Sequence, residues 1–588
     1  MADILKKQIA DGINNLYNQH LDENEIKLEI TNKDHKGDLT FVTFPYLKFS
    51  KQKPAETANA IGNYVIANCS SVSHFNVVNG FLNFEISDSF CLNFLKLNFK
   101  NTDFGSINQG NGKCVMVEFA SPNTNKPLHL GHLRNILLGY SVSEILKFAG
   151  YNVISANLIN DRGIHICKSM LAWSKGNGET PQSSNTKGDH LVGKYYVEFD
   201  KIYRKEIEEL KQQGIPDDEA KKTAPSIVEA QNMLVKWEQH DPHIIALWKK
   251  MNNWVYDGFE QTYKRLGVTF DKYYYESNTY LLGKDLINEG LQKKVFVKDP
   301  DGSVWIDLTQ DGLDRKIVLR ADGTSVYITQ DLGTAQLKYD EYKMDNSIYV
   351  VGNEQDYHFK VLKIILQKLG KQYANGIFHL SYGMVDLPHG KMKSREGTVV
   401  EADELMDEMY STANKLTMEL GKTEGFTENE LKSLNETIAM GALKYYLLKV
   451  EHVKRMLFNP EESIDFHGNT GPFIQYTFAR ISSVLRNTAN NENIDVSCSL
   501  HISEKELIIT LLLFPQKVML ASQTYNPSVI ANYIYEISKL FNRLYHELSI
   551  LGEPDSIKKS NRVAICRLTA IVIKNGMKLL GIAVPERM

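Results

Sequence analysis

Two short apolar segments on either side of an amphipathic helix constrain the fold of this chain most strongly. Residues 113–119 read KCVMVEF and residues 151–159 read YNVISANLI, and each predicts a buried strand. Between them, a polar loop leads to Pro127 and a helical pattern that runs to Gly150. Pro suits the first position of a helix, and Gly suits the position just past its end. Strand, helix and strand in this order form a βαβ unit, which predicts a parallel sheet of Rossmann type.

The rest of the chain predicts two further domains around that sheet. Residues 1–110 predict a small α+β domain, opened by a helix and containing a strand pair with an Asn-Gly turn at 79–80. Residues 111–402 carry the Rossmann-type domain, interrupted at about 174–250 by a charged helical insertion. Residues 403–588 predict an all-α bundle. The predicted fold class is therefore α/β, with a small α+β domain before the parallel sheet and a helical bundle after it.

Individual segments predict the elements of these domains. Residues 347–352, SIYVVG, predict a strand, residues 358–369 a helix, and residues 377–387, IFHLSYGMVDL, one more strand. Past residue 403, helical periodicity appears in ETIAMGALKYYLLKV, PFIQYTFARISSVLRN, ELIITLLLFPQKVML and RLTAIVIKNGMKLLGI.

Composition narrows the class of protein without naming a function. The net charge is −4, which excludes a chain coated in basic charge but leaves room for a local basic face. The six cysteines form no CxxC pair and no zinc-like cluster, so we expect reduced thiols and no protein-bound structural metal. No apolar run reaches the roughly 18 residues of a membrane span, and no signal peptide opens the chain. We therefore expect a cytoplasmic protein that does not engage a membrane.

The loop after the first predicted strand carries two histidines. Residues 120–135 read ASPNTNKPLHLGHLRN, which places His129 and His132 on one face at the start of the predicted helix. Free N–H groups at a helix start favour an anion, and Gly131 lets a flat ring approach the backbone. These features fit a nucleotide. Alternatively, the histidines are ordinary surface residues or half of a metal site, although the sequence offers no further zinc ligands nearby.

A second loop adds positive charge. Residues 390–397 read GKMKSREG, so Lys391, Lys393 and Arg395 lie between two glycines. Three cations can gather on a polyphosphate, and glycines permit the loop to move. Alone, this stretch fits a solvated charge run equally well. Together with the histidine loop, it indicates a nucleotide-binding site.

These motifs resemble those of a known family. HLGH is similar to the HIGH signature of class I aminoacyl-tRNA synthetases, and KMKSR is similar to their KMSKS loop. Six further segments resemble those of arginyl-tRNA synthetases in particular, in the same order over nearly the whole chain. They are SPNTNKPLHLGHLRN, LRADGTSVYITQDLGTA, YVVGNEQDYHF, ALKYYLLK, GNTGPFIQY and the terminal ERM. The resemblance implies a Rossmann-type catalytic domain that joins L-arginine to tRNA(Arg) through an arginyl-adenylate. ATP would enter as its Mg²⁺ complex, AMP and pyrophosphate would leave, and the enzyme would be a monomer.

The resemblance also implies catalytic roles. His129 and His132 would donate hydrogen bonds to the α-phosphate, with Gly131 beside the nucleotide. The lysine loop departs from the family signature, because Ser394 stands where a second lysine is expected. In arginyl enzymes of this kind, a lysine ahead of the HIGH element supplies the missing charge. Lys126 and Lys391 would therefore contact phosphates, with Lys393 as a further candidate.

Binding of the amino acid and of tRNA follows from the same resemblance. A carboxylate is the natural bidentate partner of a guanidinium, and Asp331 lies four residues after Tyr327 on a predicted helix. The residues implied for arginine are Glu118, Ser121, Asn123, His132, Tyr327, Asp331 and Gln355. Those implied for tRNA are Asn79, Phe81 and Asn83 in the first domain and Phe473 and Tyr476 in the bundle. For the aromatic members of this set, a place in a hydrophobic core is the competing interpretation.

Three other functions remain open on the sequence alone. The first is a different class I synthetase, such as a cysteinyl or glutamyl enzyme, although the cysteines are badly spaced for the zinc of a cysteinyl site. The second is a non-catalytic paralogue that only binds tRNA, which would be expected to lose His129, His132, Asp331 or Lys391; all four are present. The third is a simple nucleotidyl transferase, which would not need the helical bundle. For an arginyl enzyme, we expect amino-acid activation to require tRNA.

Overall fold

The structure is a computed structural model, and it describes residues 2–32, 34–386, 400–419, 425–488 and 493–588. Lys391 and Lys393, predicted to contact phosphate, lie outside the described residues. Within the described chain, three regions share one large hydrophobic core. A second, smaller core lies beside the parallel sheet.

The first region is a four-stranded antiparallel sheet packed on helices. Its elements are α1 Ala2–Tyr17, β1 Leu28–Ile30, β2 Leu39–Val42, α2 Leu47–Ser50, α3 Pro54–Asn68, β3 Val72–Val78, β4 Phe81–Ile86 and α4 Asp88–Asn98. The strand order is β1-β2-β4-β3. Strands β3 and β4 form a two-residue hairpin, in which Asn79 and Gly80 have φ of 50° and 89°. Both angles lie in the left-handed region that Asn-Gly turns favour, so the predicted turn is confirmed.

The second region is built on a parallel sheet. Its elements are β5 Cys114–Glu118, α5 Leu130–Phe148, β6 Asn152–Ile159, α6 Ile164–Ser174, α7 Pro181–Ser184, α8 Gly188–Gln212, α9 Asp217–Thr223, α10 Pro225–Glu238, α11 Pro242–Arg265, β7 Lys272–Tyr275, α12 Glu276–Thr279, α13 Lys284–Gln292, β8 Val297–Lys298, β9 Val304–Ile306, β10 Lys316–Leu319, α14 Tyr327–Tyr342, β11 Asn346–Gly352, α15 Asp356–Lys368, β12 Ile377–Tyr382 and β13 Val385–Asp386. The sheet order β12-β11-β5-β6-β7 is parallel throughout. The predicted βαβ unit is therefore confirmed, and the helical insertion lies between β6 and β7.

Two segments differ from the sequence prediction. Residues 377–387 are predicted as one strand, but β12 ends at Tyr382 and β13 pairs instead with residues 456–457 of the third region. The helix predicted to begin at Pro127 begins instead at Leu130, with His129 as its N-cap. Pro127 belongs to the loop that precedes the helix. The His129 and His132 side chains accept backbone N–H groups at this end of α5, and this capping places the helix start at Leu130.

The third region is helical, as predicted, except for one two-residue strand that pairs with β13. Its elements are α16 Ala402–Glu419, α17 Glu428–Leu448, β14 Met456–Leu457, α18 Pro460–Ser463, α19 Gly471–Arg486, α20 Ile502–Leu512, α21 Phe514–Thr524, α22 Ser528–Glu547 and α23 Ser556–Leu579. The segment ELIITLLLFPQKVML forms two helices, because Pro515 in the first turn of α21 cannot continue α20.

One stretch of the described chain meets the length and hydropathy of a membrane span. It covers residues Ile502–Thr524, and 61% of its apolar window is buried inside the protein. Buried core helices of other proteins have the same length and composition. That the protein does not engage a membrane stays a prediction.

Candidate active site and tRNA-contacting surfaces

Polar side chains gather at the carboxyl edge of the parallel sheet. Glu118 is the last residue of β5, Asp161 comes shortly after β6, and Glu276 follows β7 directly. Gln355 stands just after β11, at the start of α15. Because the carboxyl ends of parallel strands meet at one edge, these residues border the crevice in which such folds bind ligands.

The loop after β5 leaves the sheet through a strained backbone. Ala120 and Ser121 have φ of 72° and 42°, a left-handed conformation that costs a non-glycine residue roughly 1–2 kcal/mol. The amide of Ala120 donates to Asn135 Oδ1 at 2.6 Å, and that of Ser121 donates to Asn157 Oδ1 at 3.2 Å. Asn135 in turn donates to the carbonyl of Val350 on β11 at 2.7 Å. The last residue of HLGHLRN thus ties the strained loop to the sheet.

The two histidines cap the start of α5 and contact each other. The His129 amide donates to His132 Nδ1, and the Gly131 amide donates to His129 Nδ1, both at 3.1 Å. The ring centroids are 3.9 Å apart. A Cβ at Gly131 would lie 3.1 Å from His129 Cε1, so only glycine leaves the ring undisturbed. This reciprocal arrangement is a capping box built from histidines.

These hydrogen bonds determine which ring nitrogens carry protons. Since each Nδ1 accepts from a backbone amide, each neutral ring carries its proton on Nε2. Burial, with Lys126 adding to it, lowers the pKa of His129 to about 4. Burial, His129 and Lys126 hold the pKa of His132 well below its usual value. Both rings are therefore neutral near pH 7, and each offers one Nε2–H donor close to the Lys126 ammonium.

Three carboxylates form an acidic cluster, defined here as Asp161, Glu276 and Asp331. Burial raises the pKa of Glu276 to about 7, with Asp161 and Asp331 adding to the rise and Arg162 opposing it. Burial also raises the pKa of Asp161, although it accepts hydrogen bonds from Tyr256 and Ser277. Neither Glu276 nor Asp161 was predicted as a site residue from the sequence. Their positions just after buried strands carry the signal that would have identified them.

The residues predicted for arginine are distributed around this cluster. Tyr327 opens α14 and is 80% exposed, and Asp331 lies one turn further along the same face. His358 of α15, which was also not predicted from the sequence, contacts Asp331 Oδ2 through Nε2 at 2.6 Å. Exposed Gln355 lies one turn before His358. The structure therefore brings Tyr327, Asp331 and Gln355 to one side of the sheet edge.

Glu118 and Asn123 have different surroundings. Glu118 is buried and forms an ion pair with the buried ammonium of Lys338, which also lies 4.8 Å from the ring centroid of Tyr349. Its carboxylate is therefore part of a compensated internal pair. Asn123 is exposed and bridges to Asn160 at the end of β6. Of these two, only Asn123 presents its side chain at the surface of the edge.

The segment that follows residue 399 is fastened to the histidine loop. The Leu130 amide donates to the Val400 carbonyl at 3.1 Å, and the Ala402 amide donates to the Leu128 carbonyl at 2.8 Å. Helix α8 of the insertion holds the same segment, because His190 contacts Glu401 and Asp403 at 2.8 Å each.

His190 belongs to a charged cluster under that segment. Asp189, His190 and Asp403 approach one another as metal ligands would. However, the Lys187 ammonium lies 2.6 Å from Asp403 and 3.3 Å from Asp189. The carboxylates raise the pKa of His190 to about 10, in spite of its burial. Lys187 and His190 therefore supply the positive charge that a metal ion would otherwise provide.

Arg134 joins α5 to the helical region. Its side chain is 2% exposed and donates to four backbone carbonyls. Nη1 donates to Gly383 and Met384 at 2.8 and 3.1 Å. Nη2 donates to His452 and Lys454 at 3.1 and 2.8 Å. The helix that carries the histidines is thus bonded both to the segment after β12 and to the segment after α17.

Of the predicted tRNA residues in the first region, two are at the surface. Asn79 is exposed in the hairpin turn, and Phe81 is exposed and packs edge-to-face on exposed Phe44, with centroids 5.6 Å apart. Asn83, by contrast, is buried and accepts from Thr40 Oγ1 at 2.7 Å. Exposed Phe44 extends this aromatic surface and was not predicted, because it is distant from the hairpin along the chain.

Phe473 and Tyr476 line one cavity in the helical region, called the base cavity here. Its volume is about 330 Å³, and its wall also contains Arg480, His546 and the terminal Met588. The Arg480 guanidinium lies 4.9 Å from the centroid of the Tyr476 ring. An aromatic wall beside a cation suits a nucleobase followed by a phosphate.

A parallel sheet with a histidine-capped helix at its carboxyl edge and a helical bundle beyond it belong, by comparison with known families, to a class I tRNA synthetase. Residues 96–459 match the family described as "tRNA synthetases class I (R), catalytic domain". Residues 474–588 match "DALR anticodon binding domain", and residues 3–86 match "Arginyl tRNA synthetase N terminal domain".

Known proteins make the family specific. The chain is 55% identical to the arginine–tRNA ligase of Flavobacterium psychrophilum and 52% identical to that of Bacteroides thetaiotaomicron, each over 100% of both chains. Among solved structures, the arginyl-tRNA synthetase of Thermus thermophilus has the same fold, with a TM-score of 0.82, 23% identity and coverage of 100% of this chain and 99% of that one. The chain therefore belongs to the arginyl-tRNA synthetase family.

Proposed function

We propose that this chain joins L-arginine to tRNA(Arg) in an ATP-dependent reaction that passes through arginyl-adenylate and releases AMP and pyrophosphate. The observation that carries the proposal is the pair of neutral histidine donors beside Lys126, at the sheet edge that also carries the acidic cluster. The histidine pair with Lys126 suits the phosphates of a nucleotide, and the acidic cluster suits a guanidinium. The full-length likeness to arginine–tRNA ligases supports the same conclusion.

In the first step, a carboxylate oxygen of arginine attacks the α-phosphorus of ATP, and pyrophosphate leaves. Negative charge grows on the α-phosphate oxygens as phosphorus becomes five-coordinate. The Nε2–H groups of His129 and His132 donate to those oxygens, and Gly131 keeps the nucleotide close to the helix start. Such preorganised donors contribute roughly 3–4 kcal/mol each to the transition state.

Phosphate charge is balanced by several cations. Lys126 stands close to both histidines, as their lowered pKa values indicate. We assign Lys391, with Lys393 as a further candidate, to the leaving pyrophosphate, and Mg²⁺ to the bound ATP. Positioning and charge stabilisation then account for the chemistry without a covalent link to the protein.

The acidic cluster selects arginine. A guanidinium presents a planar fork of donors, and Asp331 with Glu276 offers carboxylates to receive it. Tyr327 and Gln355 complete this side of the substrate. Lysine would place a single ammonium there and leave a carboxylate unpaired, which disfavours it. Ser121 and Asn123 lie towards the reacting end, and Glu118 supports them through its pair with Lys338.

In the second step, the arginyl group passes to the terminal ribose of tRNA. We assign residues 1–110 and 403–588 to tRNA contacts, with Asn79 and Phe81 in the first domain and Phe473 and Tyr476 in the base cavity. Asn83 supports its strand through Thr40. We further propose that activation requires tRNA, and that the enzyme acts as a monomer in the cytoplasm without a membrane.

ATP–pyrophosphate exchange on the purified protein tests the proposal. Arginine should support exchange, whereas lysine, glutamine and cysteine should not, and each is run with and without tRNA. Exchange with arginine only in the presence of tRNA supports both the activity and the tRNA requirement. Arginine-dependent exchange without tRNA removes the requirement alone. Absence of exchange in folded protein that still binds tRNA would identify a non-catalytic tRNA-binding protein.

A further inference from the structure

Helix α8 of the insertion packs directly against the loop that carries the histidines. A Cβ at Gly193, in the second turn of α8, would lie 2.7 Å from Pro127 Cδ and 3.6 Å from Lys126 Cα. Glycine weakens the interior of a helix relative to alanine, so this close approach, and not helix stability, favours glycine here. The insertion and the histidine loop are therefore in contact at this turn.

One turn earlier on the same face of α8, His190 uses both of its ring nitrogens. Nδ1 lies 2.8 Å from Glu401 Oε2, and Nε2 lies 2.8 Å from Asp403 Oδ2. A neutral imidazole has one donor and could serve only one of these carboxylates. Burial opposes the charged ring, but the hydrogen bonds to Asp403 and Glu401 outweigh it and raise the pKa of His190 to about 10. The ring is therefore a cation with two N–H donors near pH 7.

Lys187, the N-cap residue of α8, reinforces the same contact. Its ammonium lies 2.6 Å from Asp403 and 3.3 Å from Asp189, and it also donates to Thr262 Oγ1 on α11. Asp189 is buried where α8 packs on α11, since a Cβ at Gly258 would lie 2.3 Å from its Oδ1. Separating α8 from Asp403 would leave partly buried charges without partners, which is strongly unfavourable. The start of α8 is thus fixed to this segment.

The segment that α8 holds is paired with the backbone of the histidine loop. Glu401 forms an antiparallel bridge with His129, whose backbone is extended, with φ of −134° and ψ of 175°. On either side of this bridge, the Leu130 amide and the Leu128 carbonyl bond to residues 400–402, at 3.1 and 2.8 Å. One edge of His129 is therefore held by a segment that the insertion holds in turn.

We propose that the start of α8 positions His129 and His132 for the reaction, with His190 as the positioning residue and Lys187 supporting it. This inference rests on the proposed function, because it takes the two histidines as donors to the α-phosphate. Such donors act only at the correct distance, and a misplacement of about 1 Å can cost about 10²-fold in rate. The insertion therefore affects kcat more than the KM for arginine.

His190→Gln tests this role, because glutamine is polar but cannot carry the charge that pairs with two carboxylates. The kcat for arginine-dependent ATP–pyrophosphate exchange should fall about tenfold, and the KM for arginine should change less than about twofold. The matched control is His243→Gln, which alters an exposed histidine at the start of α11 and should keep wild-type kinetics. Each variant is assayed well below its own melting temperature, so that only folded enzyme is compared.

Two further measurements separate positioning from a general loss of stability. If His190 acts through the histidine loop, His190→Gln should lower kcat by less than about threefold in a His129→Asn background, because the group being positioned is already gone. Amide hydrogen exchange provides a readout that needs no activity. His190→Gln should speed exchange in peptides that cover residues 128–133, since the Leu130 amide bonds to the segment that α8 holds.

Gly193→Ala alters the other contact of α8 without removing a charge. Its Cβ would press on Pro127, so kcat should fall although alanine favours the helix. Wild-type kcat in both variants, an equal loss from His190→Gln with and without His129→Asn, or unchanged hydrogen exchange at residues 128–133 would overturn the positioning role. A wild-type protein that supports no exchange with arginine would overturn the proposed function instead, and hydrogen exchange would still decide whether α8 positions the loop.

Discussion

The histidine pair and the acidic cluster share one edge of the sheet, but their polar groups are held in opposite ways. His129 and His132 each accept a backbone N–H, and burial keeps both rings neutral. In the acidic cluster, Glu276 lies near two further carboxylates, and its pKa is raised to about 7. The histidines are therefore fixed by the fold, whereas the charge of the cluster depends on pH and on a cationic ligand.

This difference suits two functions, the stabilisation of a transition state and the selection of a cationic substrate. Groups that stabilise a transition state act best when their orientation is fixed before the reaction, because reorganisation then costs nothing at the reacting moment. Groups that select a cation gain from mutual repulsion, since a guanidinium relieves it and a neutral ligand does not. The first half of the site should therefore control kcat and the second half the KM for arginine.

Loss of a histidine donor should have the largest effect. His132→Ala removes the Nε2–H donor and the acceptor of the His129 amide, and kcat for exchange should fall about 10²–10³-fold. The KM for arginine should change less than about twofold, because the acidic cluster is untouched. Steady-state exchange kinetics measure both.

A second variant separates chemistry from capping. Asn is a strong N-cap residue, so His129→Asn keeps the start of α5 but lacks the Nε2–H donor. Its kcat should also fall by about 10²-fold, with little change in melting temperature. Near-normal kcat in His129→Asn would mean that the pair acts only as a helix cap.

Arg134→Lys should have the next largest effect. It tests the side chain that joins α5, the helix capped by the two histidines, to the helical region. Lysine cannot reach four carbonyls in two segments, so bonds to Gly383, Met384, His452 or Lys454 are lost. Unpaired buried carbonyls should lower stability by roughly 2–3 kcal/mol. Thermal melting measures this loss, and Arg204→Lys, which alters an exposed guanidinium of the same domain, is the control. An unchanged melting temperature would contradict the role of Arg134 as a junction.

Sequence patterns predicted the parts of the molecule that rest on local rules. The βαβ unit came from apolar runs and helix periodicity, and the hairpin came from its Asn-Gly turn. The start of α5 was predicted wrongly at Pro127. Proline favours a first helical turn, but capping by the histidine side chains determines the actual start at Leu130. The division of 377–387 into β12 and β13 was not predicted, since β13 pairs with β14, which is distant along the chain.

The same limit applies to the site. Residues inside recognisable motifs, such as His129 and Asp331, could be named from the sequence. Lys338 and His358 could not, because each acquires its role from a partner on another element, whereas Glu276 was missed although its position just after a buried strand is a usable signal. Asn83 shows the converse case: it lies in a suggestive motif, but the fold buries it against Thr40.

Removal of the Asp331 charge should act on the other half of the site. In Asp331→Asn the guanidinium loses a charged partner, and the KM for arginine should rise roughly 30-fold, equivalent to about 2 kcal/mol. The kcat at saturating arginine should fall less than about threefold, since the histidine pair is intact. Asp322→Asn, an exposed acid ahead of α14, is the matched control. A fall in kcat with unchanged KM would remove the division of labour between the two halves.

The smallest effect should be a pH dependence that belongs to Glu276. Burial, with the neighbouring carboxylates, raises its pKa to about 7, so the side chain is ionised above that pH and neutral below it. A neutral Glu276 attracts a guanidinium less, and the KM for arginine should therefore rise about fivefold as pH falls from about 8 to about 6. His129, with a pKa of about 4, stays neutral over that range and contributes no change in kcat. In Glu276→Gln, the KM should be raised and constant with pH. If that variant kept the wild-type pH dependence, a group other than Glu276 would titrate. The pH response of the acidic cluster would then belong to another carboxylate.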